Sequence, residues 1–128
     1  MKTAVFKFGR MELHPGNIAL SVCNEGINLN GADAHEMLLF MAEGFEGFYG
    51  FVASKENAYS LELDVFKVFG AESRLIAIAV LATQKLSMDL FSAVERGLVQ
   101  KPVALFTELE EAKAWLAMKI SEAESNTL

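Results

Sequence analysis

At 128 residues the chain has the length of one domain, yet 52% of it is hydrophobic before its 9 glycines are counted; average domains reach roughly 45–50% only with glycine included. Lys and Arg total 11 against 17 Asp and Glu, a formal charge of −6 with a pI near 4.9; with no basic cluster to neutralise phosphates, binding to nucleic acid is not expected. The single cysteine, Cys23, excludes an internal disulfide and suits a reducing compartment, so a cytoplasmic location is expected.

The start of the chain, Met1 to Arg10, spaces charges through its apolar residues and lacks the apolar core of a signal peptide. Ala4, Phe6 and Phe8 alternate, then Met11 and Leu13 alternate on the other parity, with Gly9 between them. A slip of one residue at a glycine predicts a β-bulge within one strand. His14-Pro15-Gly16-Asn17 has Pro to pre-set φ and Gly to supply φ > 0, and so predicts a type II turn. Ile18, Leu20 and Val22 continue as the second strand of an opening hairpin.

Strand and helix then alternate. Asp33 and Glu36 have the spacing of a capping box, and Ala34, Met37, Leu38, Met41, Ala42 and Phe45 form a helical stripe behind them. Phe48–Ser54 reads as a strand. Ser60 is expected to cap a short helix bearing Leu61, Val65, Val68 and Phe69, which Gly70 ends. Leu75–Ala82 is unbroken, apolar and uncharged, far short of the roughly 20 residues of a membrane span; it predicts a central strand buried on both faces.

A helix over Ser87–Gly97 is expected to use Leu90, Phe91, Val94 and Leu98, and Pro102 opens the strand Val103–Phe106. Thr107 and Glu110 form a capping box for a last helix whose inner face is Leu109, Ala112, Leu116 and Ile120. The expectation is a single α/β domain over residues 1–120, with residues 121–128 a frayed polar tail. Its order is ββαβαβαβα: a mainly parallel five-stranded sheet opening with a hairpin, and four helices.

The closing stretch from Lys101 to Leu116, a short strand, a polar cap, then an acidic helix with the pair Trp115-Leu116, resembles the C-terminus of the bacterial SpoIIAA-like group of STAS domains. The element order extends the resemblance from about Asn17 to Leu116. It implies a STAS-like α/β fold and regulation by protein–protein contact without catalysis. Phosphorylatable members carry an Asp-Ser pair at the start of the helix after the middle strand. Here Lys55-Glu56-Asn57-Ala58-Tyr59-Ser60-Leu61 has a serine without that aspartate.

No catalytic residue, metal site or cofactor is expected. His14 and His35 have no partner at ligand spacing, and Asp33, His35 and Glu36 read as capping and solvation. Gly44-Phe45-Glu46-Gly47-Phe48-Tyr49-Gly50 precedes a strand, whereas a phosphate cradle must follow one. Cys23, in a half-buried strand, reads as a small core residue, although its strand end and the helix start place it on the same edge as His35.

Open α/β sheets bind ligands outside the carboxyl ends of their strands. That edge gathers His35, Ser54, Lys55, Asn57, Tyr59, Ser60, Thr83, Gln84 and Lys85, a polar set whose two cations suit an anionic group. With no ligand, the same residues read as an N-cap (Ser60), a turn residue (Asn57) and solvated lysines. The apolar surplus calls for an interface or a pocket. Leu39, Phe40, Leu63 and Phe66 lie off the core stripes of the first two helices and form a candidate interface; Met118 on the last helix is similar, whereas Trp115 there reads more simply as packing at the edge of the core. Two functions follow as expectations. The first is a non-enzymatic interaction module that self-associates or binds another protein. The second is a domain that holds a small apolar or anionic ligand or a lipid at the carboxyl edge of the sheet.

Overall fold

The computed structural model describes residues 1–82 and 99–127. Strands β1 (Lys2–Phe6), β2 (Gly9–His14) and β3 (Ile18–Cys23) come first, and a short strand β4 (Asn28–Leu29) leads into helix α1 (Gly31–Gly44). Strand β5 (Tyr49–Ser54), a second short strand β6 (Ser60–Leu61) and helix α2 (Leu63–Ala71) follow. Strand β7 (Leu75–Leu81), strand β8 (Val103–Phe106) and helix α3 (Leu109–Asn126) complete the described elements. The helix expected over Ser87–Gly97, and Thr83, Gln84 and Lys85 of the expected ligand edge, lie outside the described residues.

The fold is α/β, but the sheet is larger and more mixed than expected. Six strands run in the order β1-β2-β3-β5-β7-β8, and β4 and β6 form a separate two-stranded ladder. The pairs β1·β2 and β2·β3 are antiparallel, whereas β3·β5, β5·β7 and β7·β8 are parallel. The chain opens with a three-stranded meander where a single hairpin was expected. The parity change at Gly9 is a reversal, because Phe6 pairs with Gly9 and leaves Lys7-Phe8 as the loop. Asn24 takes up both loop carbonyls, its side chain donating to Lys7 O at 3.3 Å and its backbone N–H to Phe8 O at 2.8 Å. A bulge and a tight turn both restart the in–out alternation, so the pattern alone does not separate them.

β7 lies between β5 and β8. Its Leu75, Ile78 and Val80 pack into the core under α1 and α2, while Ala77 and Ala79 pack under α3. An unbroken apolar run is what burial on both faces requires. On the α3 side, the absence of a side chain at Gly50 lets Leu116 sit directly on the sheet; a Cβ there would lie 2.9 Å from Leu116 Cδ2. The Lys113 ammonium also donates to His14 Nδ1 at 3.3 Å, and His14 Nε2 in turn donates to Glu12 Oε1 at 2.9 Å. That bond holds the Glu12 carboxyl below its ordinary range.

The helix starts differ from expectation at each cap. Asn30, not Asp33, is the N-cap of α1: its side chain accepts from Asp33 N at 3.0 Å, and Asp33 accepts from Asn30 N at 3.1 Å. α2 begins after Glu62, because Ser60 and Leu61 pair with Asn28 and Leu29, and Gly70 lies inside it. α3 begins after Glu108 without a side-chain cap and continues to Asn126, through the polar segment expected to fray.

Helix α1 has no basic residue in its last turn, and Arg74 supplies the charge from the turn before β7. Its guanidinium donates to Gly47 O at 2.8 Å, to Ala42 O at 3.3 Å and to Phe45 O. A planar fork with several fixed donors suits orphan carbonyls at a helix end. Arg74→Ala is expected to lower stability by about 2–3 kcal/mol, a fall of roughly 6–15 °C in thermal midpoint for a domain of this size, with Arg74→Lys rescuing only part. Thermal unfolding followed by circular dichroism checks this.

Candidate ligand-binding site

The carboxyl ends of β3 and β5 frame a cavity on the face covered by α1 and α2. Its cause lies in the strand register. Ser21 pairs with Ala53, and Ala53 with Val80, so two small side chains stand side by side beneath the helices. Phe51 and Ile78 complete the sheet wall, while Met37 of α1 and Val65, Phe66 and Phe69 of α2 form the roof. The cavity measures about 40 Å³, whereas a single water needs roughly 10–15 Å³.

The wall is apolar except for Ser21, Lys55 and Tyr59. Ser21 is 1% exposed, and its Oγ has no hydrogen-bond partner among the described residues. Lys55 and Tyr59 line the same cavity, with Lys55 Nζ buried and 3.7 Å from the centre of the Tyr59 ring. Ala53, Lys55, Tyr59 and Leu61 are its partly exposed residues, and they mark the rim.

Backbone stitching positions this rim. Asn57 Nδ2 donates to Cys23 O at 2.9 Å, Gly26 N to Ala58 O at 2.7 Å, and Ala58 N to Glu25 Oε2 at 2.7 Å. The loop after β5 is thereby tied to the loop after β3, which holds Tyr59 over Lys55.

Cys23 adjoins the rim. Burial pushes its thiol up to about 11, opposed by the charge of Lys55 and a hydrogen bond with Tyr59. Burial, and then the neighbouring Cys23, pushes the Tyr59 phenol up as well. At neutral pH both groups keep their protons, so the site offers hydrogen-bond donors and a cation rather than a nucleophile.

The expected edge is therefore divided. Lys55 and Tyr59 line the cavity and Asn57 braces it. Ser54 is buried on the opposite, α3-facing side of β5, with its Oγ accepting from Glu56 N at 3.4 Å. Ser60 is exposed and bonds to Asn28 Oδ1 at 2.8 Å. It caps no helix. His35 is exposed, in a groove between α1 and α2 with Leu38, Lys67, Val68, Ala71 and Glu72. Among the described residues, no group of three or more His, Cys, Asp or Glu side chains is placed to hold a metal ion, and no helix is long and apolar enough to cross a membrane.

Sequence reasoning missed Ser21. Its signal was present: a serine inside a strand whose other residues are almost all apolar.

The expected interface also changes. Phe66 is 2% exposed and belongs to the core and the cavity roof. Phe40 is half-buried, edge-on to Phe6 at 5.6 Å. Leu39 and Leu63 are exposed. On α3, Trp115 packs against Phe106 at 5.6 Å, and Met118 is exposed.

No family model, curated protein or solved structure matches the chain.

Proposed function

We propose that this chain is a non-enzymatic STAS-like binding module that holds a small molecule in the cavity between the sheet and helices α1 and α2. The observation that carries the reading is Ser21: a buried hydroxyl with no described partner that lines a largely apolar cavity. A buried polar group without a partner costs free energy, and a ligand that supplies the partner recovers it. The protonated Cys23 and Tyr59 favour binding over chemistry.

Native mass spectrometry of gently purified protein is expected to find a small molecule that wild type retains. Ala53→Leu, whose side chain fills the cavity, is expected to lack it. If both are ligand-free and pressurised xenon perturbs no methyl resonance of Val65 or Val80, the reading is wrong.

A second reading, contact with another protein or with a second copy, is supported by Leu39 and Leu63. They are 59% and 57% exposed on neighbouring helices that share a groove. Light scattering that finds a dimer in wild type and a monomer in Leu39→Glu supports it, and a monomeric wild type removes the self-association half.

A further inference from the structure

We infer that the edge strand β1 is an interface between two copies of this chain, paired antiparallel about a two-fold axis at Ala4 so that two six-stranded sheets join into one. The inference is independent of the cavity, and it places self-association on the sheet edge rather than at Leu39 and Leu63 on the helices. Three observations carry it.

The first is an open edge. Among the described residues β1 pairs with β2 alone, from Lys2↔Leu13 to Phe6↔Gly9, with no bulge in the ladder and no proline in the strand. Sheets commonly guard an edge with prolines, bulges or mid-strand charges, because unpaired N–H and C=O groups recruit another strand. Thr3-Ala4-Val5 at the centre of β1 carries none of these, and Val5 is 84% exposed.

The second is which groups face outward. A two-residue loop closes on a hydrogen-bonded pair, and such pairs alternate along an antiparallel ladder. Phe6, Ala4 and Lys2 therefore turn their N–H and C=O toward β2, and Thr3 and Val5 turn theirs to the open side. An antiparallel copy centred on Ala4 sets Thr3 opposite the partner's Val5, and Val5 opposite the partner's Thr3. The outward groups of both strands then meet, and all five residues of β1 are paired.

The third is that the strand complements itself in this register. Thr3 and Val5 are β-branched, the side-chain type that packs well across strands. Ala4 at the axis meets only itself, with no bulk to clash. Lys2 falls opposite the partner's Phe6 and faces no lysine. Within its own chain Lys2 Nζ lies 5.4 Å from the centre of the Phe40 ring, against which Phe6 packs edge-on. The pairing brings a second ring to that ammonium at each end of the interface, an attraction between cation and π face.

One strand pair is at the small end of specific interfaces, so the dimer is expected to dissociate with a constant of roughly 10–100 µM. Light scattering should find wild type mostly dimeric at ~300 µM and monomeric below ~5 µM. Val5→Pro removes an outward N–H and no bond to β2, a change that edge strands tolerate. It is expected to be monomeric at every concentration with the far-ultraviolet circular dichroism of wild type, whereas Val5→Thr, which keeps the N–H, stays dimeric. Two cysteine variants test the register. Ala4 and its copy form a pair without hydrogen bonds, about 4.5 Å apart by Cα, within disulfide range. Thr3 and its copy lie roughly 8–9 Å apart, beyond that range. Mild oxidation should link Ala4→Cys into dimers about tenfold faster than Thr3→Cys, Cys23 being buried in both. This readout decides the matter even where Val5→Pro fails to fold. A wild type still monomeric at ~300 µM, above the expected range, overturns the inference. So does a dimer that survives in a folded Val5→Pro; if Leu39→Glu then breaks it, the helical surface is the interface instead. Thr3→Cys linking as fast as Ala4→Cys overturns the pairing about Ala4, and with it the inference as stated.

Discussion

Phe66→Glu is expected to unfold the domain, whereas Leu63→Glu on the same helix is expected to be nearly silent. Phe66 is 2% exposed and Leu63 is 57% exposed, although only three positions separate them. Removing a buried phenyl ring costs about 3–5 kcal/mol. Placing a carboxylate among Met37, Phe51 and Phe69 adds the cost of an unpaired buried charge or of its neutralisation. The sum is about 5 kcal/mol or more, comparable with the whole stability of a domain at roughly 5–15 kcal/mol. The exposed substitution falls within about ±0.5 kcal/mol. Chemical denaturation and near-ultraviolet circular dichroism check the pair. A cooperatively folded Phe66→Glu with native near-ultraviolet signal would mean that α2 is rotated relative to the structure described.

Gly9→Ala is expected to cost about 3–5 kcal/mol through backbone strain and overpacking together. Gly9 sits at φ +149°, and a Cβ built there would lie 2.2 Å from Val22 O and 2.8 Å from Cys23 Cα. Both atoms belong to the backbone of β3, whose ladder with β2 pairs Gly9 with Cys23, so neither can yield without breaking strand pairing. Gly16 is the control. It too has a positive φ, +84°, but nothing lies within 4 Å of its Cβ position, and Gly16→Ala should cost only about 1–2 kcal/mol. Urea denaturation midpoints for the two variants give the comparison, and equal midpoints would contradict the crowding at Gly9.

The elements that were legible from sequence are those whose signal is local. The run Leu75–Ala82 has no alternation, and a strand without alternation must be covered on both faces; β7 is. The stripe from Ala34 to Phe45 repeats at helical spacing, and Ala34, Met37, Leu38 and Met41 are buried in α1. Pro15 and Gly16 dictate a reversal through their own φ preferences, and the chain turns there. Lys55 and Tyr59 were expected at the carboxyl edge because residues after a strand in an α/β sheet fall there, and both line the cavity.

What tertiary structure alone decided depends on partners distant in the chain. Ser60 has the chemistry of an N-cap, yet Asn28 draws it into a ladder, which moves the start of α2 to Leu63 and turns Phe66 into the core. Arg74 closes the end of α1 because the turn before β7 passes beneath it, a proximity that no spacing in the sequence encodes. The cavity exists because Ser21 and Ala53, 32 positions apart by their numbering, become cross-strand neighbours. Each is unremarkable in its own strand. Side chains within a strand are set by alternation, but the empty volume between sheet and helix is set by which strands lie side by side, and strand order is a property of the folded chain.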